Sequence, residues 1–315
     1  MNRRTLWKVL SIGLVLLLAG LDLLTGNGFN LPQGAIFLDL RLPRMLTALV
    51  AGTAMALSGT QMQAIFRNPL ADPHIMGVSG GAGLGAALAA LAVTGGTAGW
   101  ASNLSLVSAA FLGALAAGGV IVAVSARVRS TGTLLLVGVM LGFVLSAVSS
   151  VLQYTAGEES LKLFYNWMAG SFSSVRWSGL AWMAAALAAG AAFSLADRKA
   201  LDLVLFGDEF AAFSGVALRG LRLRTMLGCA IMTGAVTAFC GPVGFVGIAA
   251  PHLVRRMSGT SAHRTVIPWG MAAGAGLALA GDILAHAGPT PLPVGSTLAL
   301  VGIPLILILL GRSRL

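Results

Sequence analysis

The side chains that could carry chemistry are sparse in this sequence, and none of them completes a catalytic motif. The three lysines, Lys8, Lys162 and Lys199, follow Trp, Leu and Arg, so none belongs to the GxxxxGK[ST] loop that cradles the phosphates of ATP. The sequence also contains no Cys and His cluster with zinc spacing, no nucleophile elbow and no close carboxylate pair on an apolar segment. We therefore predict a protein that is not an enzyme, holds no metal or other cofactor, and has no nucleotide site of this kind.

Polar residues do occur at helical spacing inside apolar segments. Ser146, Ser150 and Gln153 stand at i, i+4 and i+7, so they share one face of a helix. Such a face either holds helices together or lines a path for a polar solute, and spacing alone leaves both open. Asp282 is the strongest candidate for a carboxylate within the membrane, where an acid indicates function. One acid hardly makes a proton relay, but an ion-coupled secondary transporter stays an alternative.

A stiff polar connector joins two apolar segments. It reads FRNPLADPHIMG, from Phe66 to Gly77. Pro69 and Pro73 fix two backbone angles and disfavour helix at the residues before them. The pattern predicts a turn of fixed shape with polar groups at the edge of the membrane. A plain helix–helix turn and part of a gate are both compatible with it.

These residues must be positioned by helices that cross a membrane. The chain is 57% hydrophobic and only 10% charged, whereas a soluble domain carries roughly a quarter charged residues. Apolar segments near the roughly 20 residues that span a bilayer recur along it. We predict an all-α polytopic membrane protein with about ten transmembrane helices, forming a single domain over residues 1–315. The predicted spans are Leu6–Leu24, Pro43–Ile65, Ile75–Val93, Leu104–Ser125, Leu134–Tyr154, Trp177–Ala196, Thr225–Phe239, Val243–Leu253, Trp269–Ala285 and Leu298–Leu310.

Several of these spans carry a further signal. The first follows basic residues as a signal peptide does, but it is long for one and lacks a clear cleavage site, so we expect it to be retained. The eighth is short and follows CGPVGFVG (Cys240–Gly247), which predicts a broken start that only surrounding protein could tolerate. Gly81–Ala90 and Ala273–Gly281 are rich in small residues and predict close helix packing. Cys229 and Cys240 are expected to be core packing residues.

The positive charges predict the orientation. With the amino terminus in the cytoplasm, only Arg41, Arg44, Lys162 and Arg176 of the Lys and Arg residues lie outside, as the positive-inside rule requires. We predict a multi-pass membrane protein with both termini in the cytoplasm. Basic loops facing anionic lipid account for the net charge of +10 without a nucleic-acid partner.

The longest predicted cytoplasmic loop, residues 197–224, suits a partner protein. Within it GDEFAAFSGV predicts a short helix with a glycine at each end, and Asp208 and Glu209 stand where acids favour a helix amino terminus. A helix lying on the membrane surface is the alternative. The residues predicted for the partner contact are Gly207, Asp208, Glu209, Phe210, Ala211 and Gly215, with Ser214 beside them.

Longer segments resemble those of one family, in the family's order. They are RLPRMLTALVAGTAMALSGTQMQAIFRNPLADPHIMGVSGGAGLGA (Arg41–Ala86), NWMAGSF (Asn166–Phe172), FGDEFAAFSGVALRGLR (Phe206–Arg222), GPVGFVGIAAPHLVRRMSG (Gly241–Gly259) and LPVGSTLALVGIPLILILL (Leu292–Leu310). Together they are similar to the FecCD family, the ten-span permease subunits of bacterial ABC importers for iron–siderophores, haem and cobalamin. The resemblance implies a type II ABC importer permease fold, a homodimer with a second copy of the chain, two cytoplasmic ABC ATPase subunits that bind ATP and Mg, and an extracytoplasmic substrate-binding protein.

The resemblance also implies roles for particular residues. Residues 197–224 would be the coupling loop that seats on the ATPase. Docking of the binding protein would use Arg41, Arg44 and His286, although the arginines could instead snorkel to headgroups. The cytoplasmic gate would include Asn68, Leu70, Ser130 and Thr131, and the pathway would be lined by Ser146, Ser150 and Gln153.

The sequence departs from the family pattern at four of these places. Ser214 stands where Leu is usual, Ala262 where Asp is usual, His286 where Arg is usual and Pro291 where Glu is frequent. Because histidine is mostly neutral at pH 7, His286 predicts a weaker docking charge. The binding protein selects the substrate in this family, so the chelate is not identified. We expect a siderophore complex or haem, with cobalamin as the alternative; pairing with a paralogue also stays open.

Overall fold

Twelve helices form the bundle in this computed structural model, which describes residues 3–26, 34–92, 100–128 and 130–311. They are α1 (Arg3–Leu24), α2 (Leu42–Phe66), α3 (Val78–Ala92), α4 (Trp100–Ser125), α5 (Thr131–Tyr154), α6 (Glu158–Ala169), α7 (Trp177–Val204), α8 (Asp208–Phe213), α9 (Leu218–Cys240), α10 (Val246–Ser258), α11 (His263–His286) and α12 (Val294–Gly311). Short turns of helix at Gly34–Ile36 and Phe37–Arg41 lead into α2, and a 3-10 turn at Pro73–Met76 leads into α3.

Six helices in the described ranges are long and apolar enough to cross a membrane, by length and composition. These segments are Trp7–Leu24, Leu106–Ser125, Thr131–Tyr154, Trp177–Val204, Leu218–Cys240 and His263–His286. The other four predicted spans fall on α2, which has 25 residues but many polar ones, and on α3, α10 and α12, which have 15, 13 and 18 residues. The all-helical class is therefore confirmed, and the number of ten spans stays a prediction.

Helix α2 forms the centre of the bundle, since almost every side chain from Pro43 to Phe66 is buried. It packs against α11 at two facing glycines, Gly52 and Gly274, where a Cβ atom on either would overlap with the other's carbonyl oxygen. Gly81 of α3 faces Gly113 of α4 in the same way. The small-residue segments of α3 and α11 are thus close packing faces, as predicted.

The break between α9 and α10 lies inside the protein. Gly241 and Phe245 adopt positive φ angles of 73° and 68°, and the helix resumes at Val246 and runs to Ser258. The predicted span Val243–Leu253 is therefore shifted, although its broken start is confirmed. Other elements satisfy the freed carbonyls: the Ser171 amide donates to the oxygen of Cys240 at 2.9 Å, which makes the break tolerable away from water.

The predicted loop over residues 197–224 is largely helical, and only residues 205–217 separate α7 from α9 apart from α8 itself. Helix α7 has 28 residues, about 42 Å, which exceeds the roughly 30 Å apolar core of a bilayer. Arg224 of α9 holds Asp197 of α7 through two hydrogen bonds of 2.7 and 2.8 Å. This bidentate pair ties the two extensions together, which the loop prediction missed.

Candidate functional site

A polar seam runs along α5 on a side that the chain leaves open. Ser146, Ser150 and Gln153 line one cavity of about 380 Å³. The Ser150 hydroxyl donates to the carbonyl of Ser146 at 3.0 Å, so its oxygen lone pairs remain available as acceptors. The cavity is completed by Ser79, Gly80, Gly83, Ser149, Phe164, Tyr165, Met168 and Pro242. The structure brings the three seam residues together as their spacing predicts; their role in a pathway stays a prediction.

His74 connects elements beside this cavity. Its Nε2 lies 2.5 Å from the carbonyl oxygen of Val243, in the break before α10, and its Nδ1 contacts the hydroxyl of Ser79. Because a carbonyl oxygen only accepts, Nε2 carries the proton, and in a neutral ring Nδ1 accepts from Ser79. His74 therefore links the Pro73–Met76 turn, the start of α3 and the α9–α10 break.

The connector from Phe66 to Gly77 has the stiff shape that its prolines predict. The side chain of Asn68 accepts a hydrogen bond from the Leu70 amide at 3.0 Å. Asp72 is extended (φ −122°, ψ 139°), and its carboxylate accepts from the His74 amide at 2.8 Å. Gly77 approaches Gly138 and Gly142, in the middle of α5, so the connector's last residue packs against that helix. The position of the connector at the membrane edge stays a prediction.

The remaining predicted gate residues begin α5. Ser130 is the N-cap of this helix, and its hydroxyl accepts from the Thr133 amide at 3.3 Å. Ser130 is exposed, Thr131 is half-buried, and Leu70 is also exposed. The structure thus places Ser130 and Thr131 at the start of the helix that carries the seam. The function of these residues as a gate stays a prediction.

Asp208 lies between two arginines from other elements. Its Oδ2 is 2.6 Å from Nη2 of Arg222 in α9 and 3.9 Å from Nη2 of Arg67. Arg67 ends α2 in a left-handed conformation, with φ 47°. We call Asp208, Arg222 and Arg67 the inner ion cluster. It joins α8 to α9 and to the first residues of the connector.

Helix α8 begins and ends where the sequence predicts, because Gly207 and Gly215 adopt φ angles of 117° and 85° that favour glycine. Glu209 and Phe210 are exposed. Ala211, however, is fully buried in the core beneath the helix, so its assignment to the partner-facing surface is wrong. The methyl group of Ala211 is small enough to fit beneath the short helix α8, and packing against the core turns this side of α8 inward.

Three phenylalanines dominate the exposed surface around α8. Phe206, Phe210 and Phe213 are 76%, 51% and 93% exposed, and the rings of Phe206 and Phe210 lie 5.6 Å apart. Exposed aromatic side chains grouped in this way mark an interaction surface. Of the three, only Phe210 is among the residues predicted from the sequence; Phe206 and Phe213 have only uncharged neighbours, which carry no local sign of exposure.

A second ion cluster is buried at the opposite end of α2. Arg44 Nε lies 2.9 Å from Oδ2 of Asp282, and its Nη2 lies 3.7 Å from Oδ1 of Asp22. Nη2 also donates to the carbonyls of Asp22 and Thr25 at 2.7 and 2.8 Å. His286 Nδ1 lies 3.3 Å from Oδ1 of Asp282. We call Arg44, Asp22, Asp282 and His286 the outer ion cluster, after its side in the predicted topology; it joins the ends of α1 and α11 to the start of α2.

This arrangement corrects the expectation that the docking residues present their charges at the surface. Arg41, Arg44 and His286 are only 7%, 4% and 7% exposed in the single chain. Arg41 donates to the carbonyl of Leu23 at 2.9 Å, and burial together with the Arg44 guanidinium lowers its pKa. The side chains point inward because carbonyls of α1 and carboxylates of α1 and α11 already engage them.

The departures from the family pattern have different surroundings. His286 Nε2 lies 3.0 Å from the hydroxyl of Ser173, while Pro291 and Ser214 are exposed. Ala262 is the N-cap of α11 and offers no side-chain acceptor. Asp202 of α7 supplies one instead, because its Oδ1 accepts from the His263 amide at 2.8 Å. A side chain from another helix thus replaces the missing local cap.

Sequence analysis missed several residues that hold these sites together. Asp22 stands in the first apolar helix, where a carboxylate is itself a signal of function. His74 directly follows Pro73, and no local pattern indicates its contacts with other elements. Arg255 of α10 bonds to Gln63 of α2, Nη1 to Oε1, at 2.5 Å; a glutamine inside an apolar span is the signal for such a partner.

Within the described ranges, no three His, Cys, Asp or Glu residues come close enough together to hold a metal ion. Cys229 and Cys240 are free and buried, in agreement with their expected role in packing.

The sequence matches the FecCD transport family over residues 9–312. It is 36% identical over 282 residues to the hemin transport system permease protein HmuU of Yersinia pestis, covering 89% of this chain and 84% of that protein. It is 37% identical over 285 residues to the vitamin B12 import system permease protein BtuC of Klebsiella pneumoniae, covering 90% and 84%.

Two solved structures share the fold. One shows an inward-facing conformation of a metal-chelate type ABC transporter, with a TM-score of 0.86 and 29% identity over 96% of this chain and 97% of that chain. The other is PsaBC from Streptococcus pneumoniae in complex with Fab, with a TM-score of 0.56 and 14% identity over 85% and 90%. The second likeness concerns the fold alone.

Proposed function

The chain belongs to the FecCD transport family, and from this premise we propose that it is the membrane-spanning permease subunit of an ATP-driven ABC importer. It would cross the bacterial inner membrane about ten times, with both termini in the cytoplasm. Its cargo would be an iron chelate, either a siderophore complex or haem, delivered by an extracytoplasmic binding protein.

The observation that carries the proposal is the open polar seam of α5. Only 17% of this apolar helix is buried within the chain, yet Ser146, Ser150 and Gln153 line a cavity there. A polar seam on an otherwise uncovered apolar helix needs a second surface to close it. A second copy of the chain, related by two-fold symmetry, would supply the same seam and form a path between the two copies.

The inner ion cluster and the exposed phenylalanines support a coupling role for α8. Phe206, Phe210 and Phe213 offer an apolar surface to an ATPase subunit. On α8, Oδ2 of Asp208 lies 3.9 Å from Nη2 of Arg67. Arg67 is followed directly by Asn68 of the proposed gate, and Leu70 comes two residues later. A displacement of α8 by the ATPase would therefore reach the gate through one ion pair.

The outer ion cluster supports a different role for the docking arginines from the one expected. Because Arg44 is held by Asp22 and Asp282, we propose that it fixes the ends of three helices against which the binding protein rests. Arg41 would act in the same way through its bond to Leu23. Direct contact with the partner's acids would require these buried pairs to open first.

The choice of cargo rests on the relatives, which include a hemin permease and a vitamin B12 permease at similar identity. The proposed path is bordered by Phe164, Tyr165 and Met168, whose apolar surfaces suit a large chelate of either kind. Cobalamin therefore remains the alternative cargo. An ion-coupled secondary transporter is less well supported, because Asp282 is paired with Arg44 instead of standing free.

The proposal is tested by reconstituting the chain in proteoliposomes with its ABC ATPase and binding protein from the same organism. Uptake of haem, a ferric siderophore and cyanocobalamin would be measured with and without internal and external ATP. We expect uptake of one chelate only with ATP on the ATPase side, and loss of uptake when the ATPase carries an inactive phosphate loop. ATP-independent uptake that disappears in Asp282→Asn would instead establish the secondary transporter.

A further inference from the structure

A groove on the outside of the bundle, separate from the seam of α5, lies between α1, α10 and α11. Its volume is about 260 Å³. It is lined by mostly apolar side chains of the three helices, among them Trp7 and Leu18 of α1, Leu253 and Met257 of α10, and Trp269 and Ala273 of α11. The only hydroxyl in the lining, on Ser11, donates to the carbonyl of Trp7 at 2.8 Å. The groove therefore offers a nearly apolar surface.

The dimensions of the groove match one leaflet of a bilayer. Its α1 wall runs from Trp7 to Leu18, eleven helical steps or about 16 Å. Half of a roughly 30 Å hydrocarbon core is about 15 Å. Only 6% of α1 from Trp7 to Leu24 is buried in the chain, so the helix is peripheral and the groove borders the lipid.

One end of the groove is aromatic and cationic. Trp7 and Trp269 meet there edge to face at 5.0 Å, and the amine of Lys8 lies 5.7 Å from the centre of the Trp269 ring. Tryptophan is typical of the membrane interface. Arg256 is exposed and lies next to Met257 and one turn from Leu253, both of which line the groove. Among the described residues, neither Lys8 nor Arg256 forms a salt bridge.

We propose that this groove binds one acyl chain of an anionic phospholipid, with the headgroup phosphate beside Lys8 and Arg256. The apolar walls exclude a polar ligand, and their length fits a chain that enters from one leaflet. The two cations and the two tryptophans at its end favour a headgroup of net negative charge over a zwitterionic one. In the orientation proposed above this is the cytoplasmic leaflet, whose lipids carry the negative charge. The lipid would fill the space between α1 and α10.

The test uses the full chain in vesicles of equimolar phosphatidylglycerol and phosphatidylcholine. After mild extraction, native mass spectrometry counts the lipids that each chain retains. We expect one phosphatidylglycerol per chain, preferred over phosphatidylcholine by about fivefold for each cation. The double variant Lys8→Gln, Arg256→Gln should lose the preference. The matched control Arg198→Gln, Lys199→Gln removes two exposed cytoplasmic-side cations and should keep it.

A second pair of variants tests the groove itself. A Cβ atom added at Gly276 would contact Val15 at 3.4 Å, so Gly276→Leu should fill the groove and abolish retention of both lipids. Gly119→Leu, on an open face of α4 with nothing within 4 Å, should leave retention unchanged. Thermal unfolding of each variant identifies those that fail to fold, and for them Ala273→Leu replaces Gly276→Leu. Equal retention of the two lipids by the wild type, or the same loss in Gly119→Leu, would overturn the proposal.

Discussion

Helix α2 carries an ion cluster at each end, and the two differ in how far water reaches them. In the outer cluster the side chains of Arg44, Asp22 and Asp282 are 5%, 0% and 0% exposed. In the inner cluster the side chains of Arg222, Asp208 and Arg67 are 9%, 27% and 41% exposed. Each cluster joins three elements, but the outer one is shut inside the bundle and the inner one opens toward the proposed ATPase.

This difference predicts that the outer ion cluster stays intact during transport and that the inner ion cluster rearranges. Breaking a buried ion pair leaves a charge in a medium of low polarity and costs about 3–5 kcal/mol, so the outer cluster should hold its three helices through the transport cycle. A pair that is partly exposed contributes about 0.2–1 kcal/mol. The inner cluster can therefore rearrange when a partner presses on α8, because little free energy opposes it.

The largest expected effect is on thermal stability and comes from the outer ion cluster. Arg44→Met would leave the buried side chains of Asp22 and Asp282 without their cation, and the midpoint of thermal unfolding should fall by more than about 6 °C. The triple variant Arg44→Met, Asp22→Asn, Asp282→Asn removes the charges together and should recover most of that loss. Arg176→Met, at an exposed arginine, serves as the control. An unfolding midpoint of Arg44→Met within 1–2 °C of the control, on the same scale, would show that the outer cluster does not hold the fold.

An intermediate effect, on the stimulation of ATPase activity, is expected at the inner ion cluster. Asp208→Asn should lower the free energy of unfolding by no more than about 1 kcal/mol, but it should cut the stimulation of ATPase activity by the binding protein about fivefold or more. Its neighbour Glu209 is exposed, and Glu209→Gln, which leaves the inner ion cluster intact, should lose clearly less of this stimulation than Asp208→Asn. If the two variants lose the same amount of stimulation, the effect belongs to the general charge of α8 and not to the pair with Arg67 and Arg222.

The smallest expected effect on stability is at the aromatic surface of α8. Phe213 is 93% exposed, so Phe213→Ala should change the free energy of unfolding by less than about 0.5 kcal/mol. It should nevertheless weaken retention of the ATPase subunit about tenfold, as removal of a central aromatic contact does. Trp182→Ala, at a 70% exposed position on α7, is the control. Undiminished ATPase retention in Phe213→Ala would remove this surface from the interface.

The features predicted well from the sequence depend on local patterns. The seam of α5 follows from helical spacing, and the ends of α8 follow from glycines at positive φ. The broken start of α10 follows from Gly241 and Pro242, since both constrain the backbone at their own position. Such signals need no knowledge of what lies across the bundle.

The features that the sequence did not predict depend on pairing between distant segments. Asp22, Arg44 and Asp282 come from three helices, and no local pattern says which acid meets which arginine. The same reason explains Ala211, whose burial depends on the helices beneath α8 and not on its own neighbours. The exposure predicted for Arg44 and for Ala211 was therefore wrong, because contacts between distant segments decide it.

The central claim is that the seam of α5 lines a path that water and cargo share. Its direct test is the reaction of Ser150→Cys with an aqueous thiol reagent, in the assembled complex and a background where Cys229 and Cys240 are alanine. Leu112→Cys, on the exposed apolar face of α4, is the control and should stay unreactive in lipid. Ser150→Cys should react, and its reaction rate should differ between the nucleotide-free and the ATP-bound complex. A cysteine at this position that is as unreactive as the control in every nucleotide state would show that the seam is a packing face and not a path.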